Sequence, residues 1–95
     1  MTKKERYIKW LRNGEIDKFN RYRRLLYRHG VYYINLYSAN LSNSSLSSAD
    51  LHSADLRYAN LHSADLRYAD LRYTNLSNAN LHSADLRYAD LRYTN

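Results

Sequence analysis

A four-sided β-solenoid is the fold this sequence predicts, and three observations predict it. A leucine stands at every fifth position from Leu36 to Leu91, twelve times without a miss. From Ala39 to Thr94, the position two before this leucine register is always small. Residues 61–75 recur identically as 81–95, an offset of 20. A helix turns about 100° per residue, so a five-residue spacing scatters the leucines around its axis. A strand alternates its faces with period 2, so an odd spacing sends successive leucines to opposite sides. A chain that turns a corner every five residues points every leucine inward, and four such sides close a square.

The other positions in the register agree. The small position holds nine Ala, plus Ser44, Thr74 and Thr94. The residue just before each leucine is Asp, Asn or Ser, and the two after it are polar or amphipathic, as in Ser-Asn, His-Ser and Arg-Tyr. The leucine and the small residue fill the interior, and the other three face water. Such a unit buries its apolar side only when stacked on its neighbours, as in repeat proteins.

The units read Ala49-Asp50-Leu51-His52-Ser53, Ala54-Asp55-Leu56-Arg57-Tyr58, Ala64-Asp65-Leu66-Arg67-Tyr68 and onward. This A(D/N)LXX pattern resembles that of the pentapeptide repeat proteins and runs from Ile34 to Asn95. The resemblance implies a right-handed quadrilateral β-helix, here of about three coils. The handedness rests on the resemblance alone.

The N-terminal stretch has a different design. Thr2 and Glu5 form a capping-box pattern, which places a helix start at Lys3. Tyr7, Ile8, Trp10 and Leu11 recur at helical spacing, and Asn13-Gly14 reads as a stop. A second helix is expected from Glu15 to about Arg28, with Ile16, Phe19, Tyr22 and Leu26 on one face, closed by Gly30. The stretch Leu11 to Arg23 also resembles the short helical segment that precedes the repeats in some bacterial members of that family. The domain reading is a basic helical cap over 1–30 and the β-helix over 31–95. Solenoid ends expose core leucines and unpaired backbone, so a cap has a physical purpose. Trp10, Phe19 and Leu26 are its expected interface core.

Charge separates the same two regions. Residues 1–30 carry ten Lys/Arg against three Asp/Glu, a net +7, and residues 31–95 carry five Arg against six Asp, a net −1, giving +6 in all. Lys3, Lys4, Arg6, Lys9, Lys18, Arg21, Arg24 and Arg28 are the cations expected on the polar face of the cap. Of these, Lys3, Lys4, Arg6, Lys9, Arg21 and Arg24 are candidate nucleic-acid contacts, interleaved with Tyr7, Tyr22 and Tyr27. The bland alternative is a solvated basic face. There is no cysteine, hence no disulfide or thiol chemistry. The opening MTKKERYIKWLR is charged and lacks the apolar stretch of a secretory signal. The apolar or aromatic runs reach about four residues, too few to span a bilayer. A cytoplasmic protein without membrane association is the expectation.

On the rod, residues 20 apart lie above one another. Asp50, Asp70 and Asp90 form a column flanked by Arg72 and Arg92, and Asp65 and Asp85 with Arg67 and Arg87 repeat the scheme one corner earlier. These read as a self-neutralising surface. Asn40, Asn60 and Asn80 stack on another side, where amide ladders can bond along the column. Tyrosine is abundant, at 11 of 95 residues. Tyr68 under Tyr88 and Tyr73 under Tyr93, each after an arginine, form the candidate partner surface with Arg67, Arg87, Arg72 and Arg92. Aromatic residues and arginine are enriched at interface hot spots, though stacked tyrosines also serve stability by covering corners.

Catalysis is not indicated. The recurring His-Ser-Ala-Asp holds the letters of a catalytic triad, but neighbouring residues on a flat wall do not converge. His62 and His82 stack as a pair, whereas a zinc site needs three or four ligands. Gly14 and Gly30 are the only glycines, so there is no phosphate-binding glycine loop. No cofactor is expected. Three functional readings remain. The first is a non-enzymatic interaction module that presents a rigid repeat surface to a protein. The second is nucleic-acid contact through residues 1–30, with the rod as spacer. The third is modulation of a topoisomerase by DNA mimicry, which the resemblance brings in and which a rod of net −1 does not suit. The chain stops partway through a coil, so a two-fold dimer joined at the C-terminal coils is a further expectation.

Overall fold

The computed structural model describes all of residues 1–95. Two helices, α1 (Lys3–Arg12) and α2 (Ile16–Arg28), precede a repeating coil. Thr2 caps α1 as the sequence predicts: its hydroxyl accepts the Glu5 N–H at 3.0 Å, and its own N–H donates to the Glu5 carboxylate at 3.1 Å. Two orphan donors of the first turn are thereby satisfied. Gly14 and Gly30 follow the two helices with φ of 71° and 74°, the left-handed conformation that ends a helix at low cost.

The coil returns on itself every twenty residues. Strand β1 (Ile34–Asn35) pairs in parallel with β2 (Ala54–Asp55), Ile34 against Ala54. Parallel bridges then join Asn40 to Asn60, Ser45 to Asp65, Asp50 to Asp70, and so on to Asp70 with Asp90. Each side of the coil is thus a strand only about two residues long. Its bonds run between levels: Leu36 N–H donates to Asp55 O at 2.9 Å, Ser38 N–H to Arg57 O at 2.9 Å, and Asn60 N–H to Ala39 O at 2.9 Å.

The corner that separates these short strands has one chemistry throughout. The residue two after each leucine has φ of +57° to +64°, from Ser38 to Tyr93 without exception. The next N–H closes on the leucine carbonyl, as from Ala39 to Leu36 at 3.0 Å. Left-handed φ at the third position alone marks a type II turn. The aspartate or asparagine before each leucine steadies the same corner. Asp65 Oδ1 accepts the Arg67 N–H at 3.1 Å, and Asn60 Oδ1 accepts the His62 N–H at 3.0 Å. This is an Asx turn, and it explains why that position tolerates Asp and Asn alike. The amide ladder expected for Asn40, Asn60 and Asn80 does not form, because each side chain turns instead to the N–H two residues on.

Leu36 to Leu71 are fully buried, each removed from water with its neighbouring alanine. A buried leucine contributes roughly 1.5–3 kcal/mol. Thr74 occupies an alanine position without leaving a buried hydroxyl unpaired, since Oγ1 donates to Leu71 O at 2.8 Å. Burial fades along the last level: Leu76, Leu81 and Leu86 are partly covered and Leu91 is 41% exposed.

The helices pack on the first level of the coil. Tyr7, Leu11, Phe19 and Leu26 join the leucine core, with Tyr7 edge-on to Phe19 at 6.1 Å. Trp10, expected in that core, is only half-buried and packs edge-to-face on Tyr22 at 5.6 Å. The reason is rotational: the face of α1 that meets the coil runs through Lys4, Tyr7 and Leu11, a helical i, i+3, i+7 progression that leaves Trp10 to one side.

Polar contacts cross this junction, and most take the places that backbone groups of a preceding level would take. Lys4 Nζ donates to Tyr37 O, Arg12 Nη1 to Asn40 O at 2.7 Å, and Arg23 Nη2 to His52 O. Asn20 both donates to Ser48 O at 3.0 Å and accepts the Asp50 N–H at 2.8 Å. Lys4 and Arg12 therefore face the rod. Arg23, not singled out by the sequence, is fully buried and also bonds and overlies Tyr27, with Nη2 to the hydroxyl at 3.0 Å.

Candidate functional site

The four corners of the coil differ in what they show to solvent. One carries Ser42-Asn43, His62-Ser63 and His82-Ser83 and is purely polar. The next two in chain order carry Ser47-Ser48, Arg67-Tyr68, Arg87-Tyr88 and then His52-Ser53, Arg72-Tyr73, Arg92-Tyr93. The sequence-predicted partner residues thus fall on two adjacent corners. The side between those corners holds the Asp50–Asp70–Asp90 column.

The tyrosines form two stacked pairs. Tyr68 and Tyr88 have centroids 5.0 Å apart and planes 11° from parallel, and Tyr73 and Tyr93 lie at 4.9 Å and 12°. The spacing is that of adjacent strands. All four rings are exposed, Tyr88 by 76%. A side chain at left-handed φ is thrust outward at the corner, so these rings stand off the rod and do not fold back onto it. Tyr58 stands at the same repeat position on a third corner, edge-on to Tyr37 at 5.6 Å.

The arginines are not free cations. Each grips the aspartate two residues before it in a two-pronged bond: Arg67 Nε and Nη2 reach Asp65 at 2.9 and 2.8 Å, and Arg72 reaches Asp70 at the same distances. Arg87 and Arg92 hold Asp85 and Asp90 likewise. Weaker links reach the level above, from Arg67 to Asp85 at 3.9 Å and Arg72 to Asp90 at 3.7 Å. The guanidinium hydrogen bonds hold Asp85 and Asp90 down at about 2, and hold Asp55 and Asp65 below the ordinary carboxylate value. For Asp70 burial pushes upward, but the Arg72 bonds outweigh it. The candidate surface is therefore aromatic and internally neutralised. Its Arg–Asp pairs are held against their own backbone corners and have little freedom left to lose.

Asp50 is the rod aspartate without an arginine two residues on, since His52 stands there. Its Oδ1 accepts the Tyr27 hydroxyl at 2.9 Å and the His52 N–H at 3.3 Å. Burial first, and then this bond to Asp50, push the Tyr27 hydroxyl up to about 12. Tyr27, Tyr32, Asp50, His52, Asp70 and Arg72 line an open recess of about 190 Å³ where α2 meets the rod.

His62 and His82 stack at 5.3 Å. No group of three or more His, Asp or Glu is placed to hold a metal ion. No helix is long and apolar enough to cross a membrane.

Of the candidate nucleic-acid contacts, Lys3, Arg6, Lys9, Arg21 and Arg24 are exposed, whereas Lys4 is turned to the rod. On the outer side of the helical pair, Trp10, Tyr22 and Leu25 line an open groove of about 270 Å³ with Lys18 and Arg21. Sequence reasoning named the cations but not this groove, which forms only when α1 and α2 pack.

Comparison with known proteins places the rod. The family profile described as pentapeptide repeats matches residues 34–71 and 64–95 in eight copies. A solved structure of a pentapeptide repeat protein from the Arabidopsis thaliana thylakoid lumen is 34% identical, with a TM-score of 0.63 over 64% of this chain. This chain spans 42% of that structure's length. A pentapeptide repeat protein from Nostoc Pcc 7120 is 36% identical over 73% of this chain and 68% of its own, with a TM-score of 0.37. No curated protein matches the chain.

Proposed function

Because the chain belongs to the pentapeptide repeat family, we propose that it is a non-enzymatic scaffold whose two tyrosine columns dock a protein partner. In this reading residues 31–95 form a right-handed quadrilateral β-helix of about three coils, and residues 1–30 cap its first coil. The observation that carries the reading is the pairing of Tyr68 with Tyr88 and Tyr73 with Tyr93, exposed on adjacent corners of one side. Exposed tyrosine rings offer large contact area, and with only two side-chain torsions each they lose little ordering entropy on binding. The clamped Arg–Asp pairs between them contribute polar contacts without an unpaired charge to bury.

The same pairing argues against DNA mimicry. Five of the six rod aspartates are held by an arginine, and a neutralised surface does not resemble a phosphate backbone. A two-fold partner copy meeting the exposed Leu91 edge belongs to the proposal. A solution mass of twice 11.3 kDa supports that copy, and a monomeric mass removes it.

The test compares host-extract proteins retained by the wild-type chain with those retained by a Tyr68→Ala/Tyr88→Ala/Tyr73→Ala/Tyr93→Ala variant. A partner held by the first and lost by the second is the expected outcome. Equal retention by both would remove the tyrosine columns from the account.

A further inference from the structure

We infer that the outer face of the helical pair is a binding site for single-stranded nucleic acid, with a base seated in the Trp10–Tyr22–Leu25 groove and phosphates on Lys18 and Arg21. This site lies apart from the tyrosine columns and does not depend on their role.

The inference starts from what the junction leaves over. The chain has ten cations before residue 31, and three of them, Lys4, Arg12 and Arg23, are turned to carbonyls of the first coil. The remaining seven, Lys3, Arg6, Lys9, Lys18, Arg21, Arg24 and Arg28, are all exposed. Capping needs none of them. The acids that oppose them are few. Glu5 is bound within the capping box, Glu15 pairs with Lys18 at 3.1 Å at the surface, and Asp17 completes the set. An exposed pair of the Lys18–Glu15 kind is worth little and opens readily to a phosphate.

A basic face alone is non-specific; the groove gives it a second feature. Trp10 and Tyr22 are half-buried, packed in part against the core, and Leu25 is 46% exposed, so apolar surface is left open between the helices. Lys18 and Arg21 line the same groove. On α1, Arg6 stands one turn before Trp10, at the i, i+4 spacing that puts both on one face. An aromatic and apolar floor rimmed by cations matches a nucleotide: the ring lies on the floor and the phosphates meet the rim. Stacking on aromatic side chains requires a base face free of its neighbours, which single strands offer and duplexes do not. The charge sign excludes a cationic ligand.

Trp10 is the only tryptophan, so its emission reports the groove directly. The experiment titrates the full chain with an oligothymidylate of about twelve nucleotides, with a duplex of equal length, and with inorganic polyphosphate, at two salt concentrations. Expected is quenching of Trp10 by the single strand alone. With about three to four phosphates neutralised, affinity should fall roughly 20–50-fold between 50 and 200 mM salt. Lys18→Glu/Arg21→Glu, two exposed positions whose fold is checked by circular dichroism, should weaken binding at least about tenfold. No quenching, or equal binding of duplex and polyphosphate, would overturn the inference and leave a general basic surface. In a parallel titration with anionic phospholipid vesicles, binding with no response to oligonucleotide would overturn it in favour of a lipid surface.

Discussion

Asn20 Oδ1 accepts the Asp50 N–H at 2.8 Å, as Ala49 O accepts the Asp70 N–H one level on, while its Nδ2 donates to the exposed Ser48 O at 3.0 Å. One helical side chain supplies the acceptor that a preceding level would have offered. The solenoid begins by the same rule that propagates it, which is that every buried backbone group finds a partner.

Removing that side chain should therefore cost more than an ordinary surface change. Asn20→Ala strands the part-buried Asp50 N–H, and the expected loss is about 1–3 kcal/mol. Thermal or urea unfolding checks the value, and hydrogen exchange should show the Asp50 amide opening faster than the Asp70 amide. By contrast Arg24→Ala, at an exposed position, should stay within about 0.5 kcal/mol.

Burial along the rod predicts a gradient. Leu56 is fully buried and Leu91 is 41% exposed. Leu56→Ala should lose about 2–5 kcal/mol, whereas Leu91→Ala should lose less than half of that. Equal losses, measured by chemical denaturation, would mean that the last level is covered in solution.

Corner residues should be sensitive despite their exposure. Ser83 is exposed at φ of 61°. A β-branched side chain fits that region poorly, so Ser83→Val should destabilise by about 1–2 kcal/mol. Ser83→Gly should be near neutral, because relief of strain opposes the greater freedom of the unfolded chain.

Acid should weaken the rod. The folded-state carboxyls of Asp55, Asp65, Asp70, Asp85 and Asp90 lie below their ordinary value of 3.8, with Asp85 and Asp90 at about 2. A group lowered on folding contributes stability above its unfolded pKa and loses it as pH falls through the folded one. The expected result is a melting temperature flat above about pH 5 that declines between about pH 4 and pH 2. Arg72→Gln should shrink the decline by freeing Asp70.

Much of this structure was legible in the residues. The five-residue leucine period and the 20-residue offset led to the coil, and Thr2 with Glu5 led to the start of α1. Those signals are local, and local geometry decides them. The direction in which α1 faces the rod was not legible, because Lys4, Tyr7 and Leu11 form a helical stripe no better than one through Trp10. Docking against carbonyls of Tyr37 and Asn40 settles it, and that is a tertiary event. The division of the cations followed from the same docking, so Lys4 left the candidate surface while Arg21 and Lys18 gained a groove. One feature was readable and missed: Asp or Asn before a turn is the Asx signal, and it would have replaced the asparagine ladder. The left-handed corner two after leucine was not readable, because Ser and Tyr, which fill most of those positions, do not favour that conformation.

The most direct test of the scaffold reading places a photo-crosslinking amino acid singly at Tyr88, Tyr93 or Ser83 in the native host. Tyr88 and Tyr93 sit on the two aromatic corners, and Ser83 sits on the polar one. The account predicts one discrete protein adduct formed from Tyr88 and Tyr93 and absent from Ser83. Adducts of equal yield at all three positions, or at Ser83 alone, would contradict it.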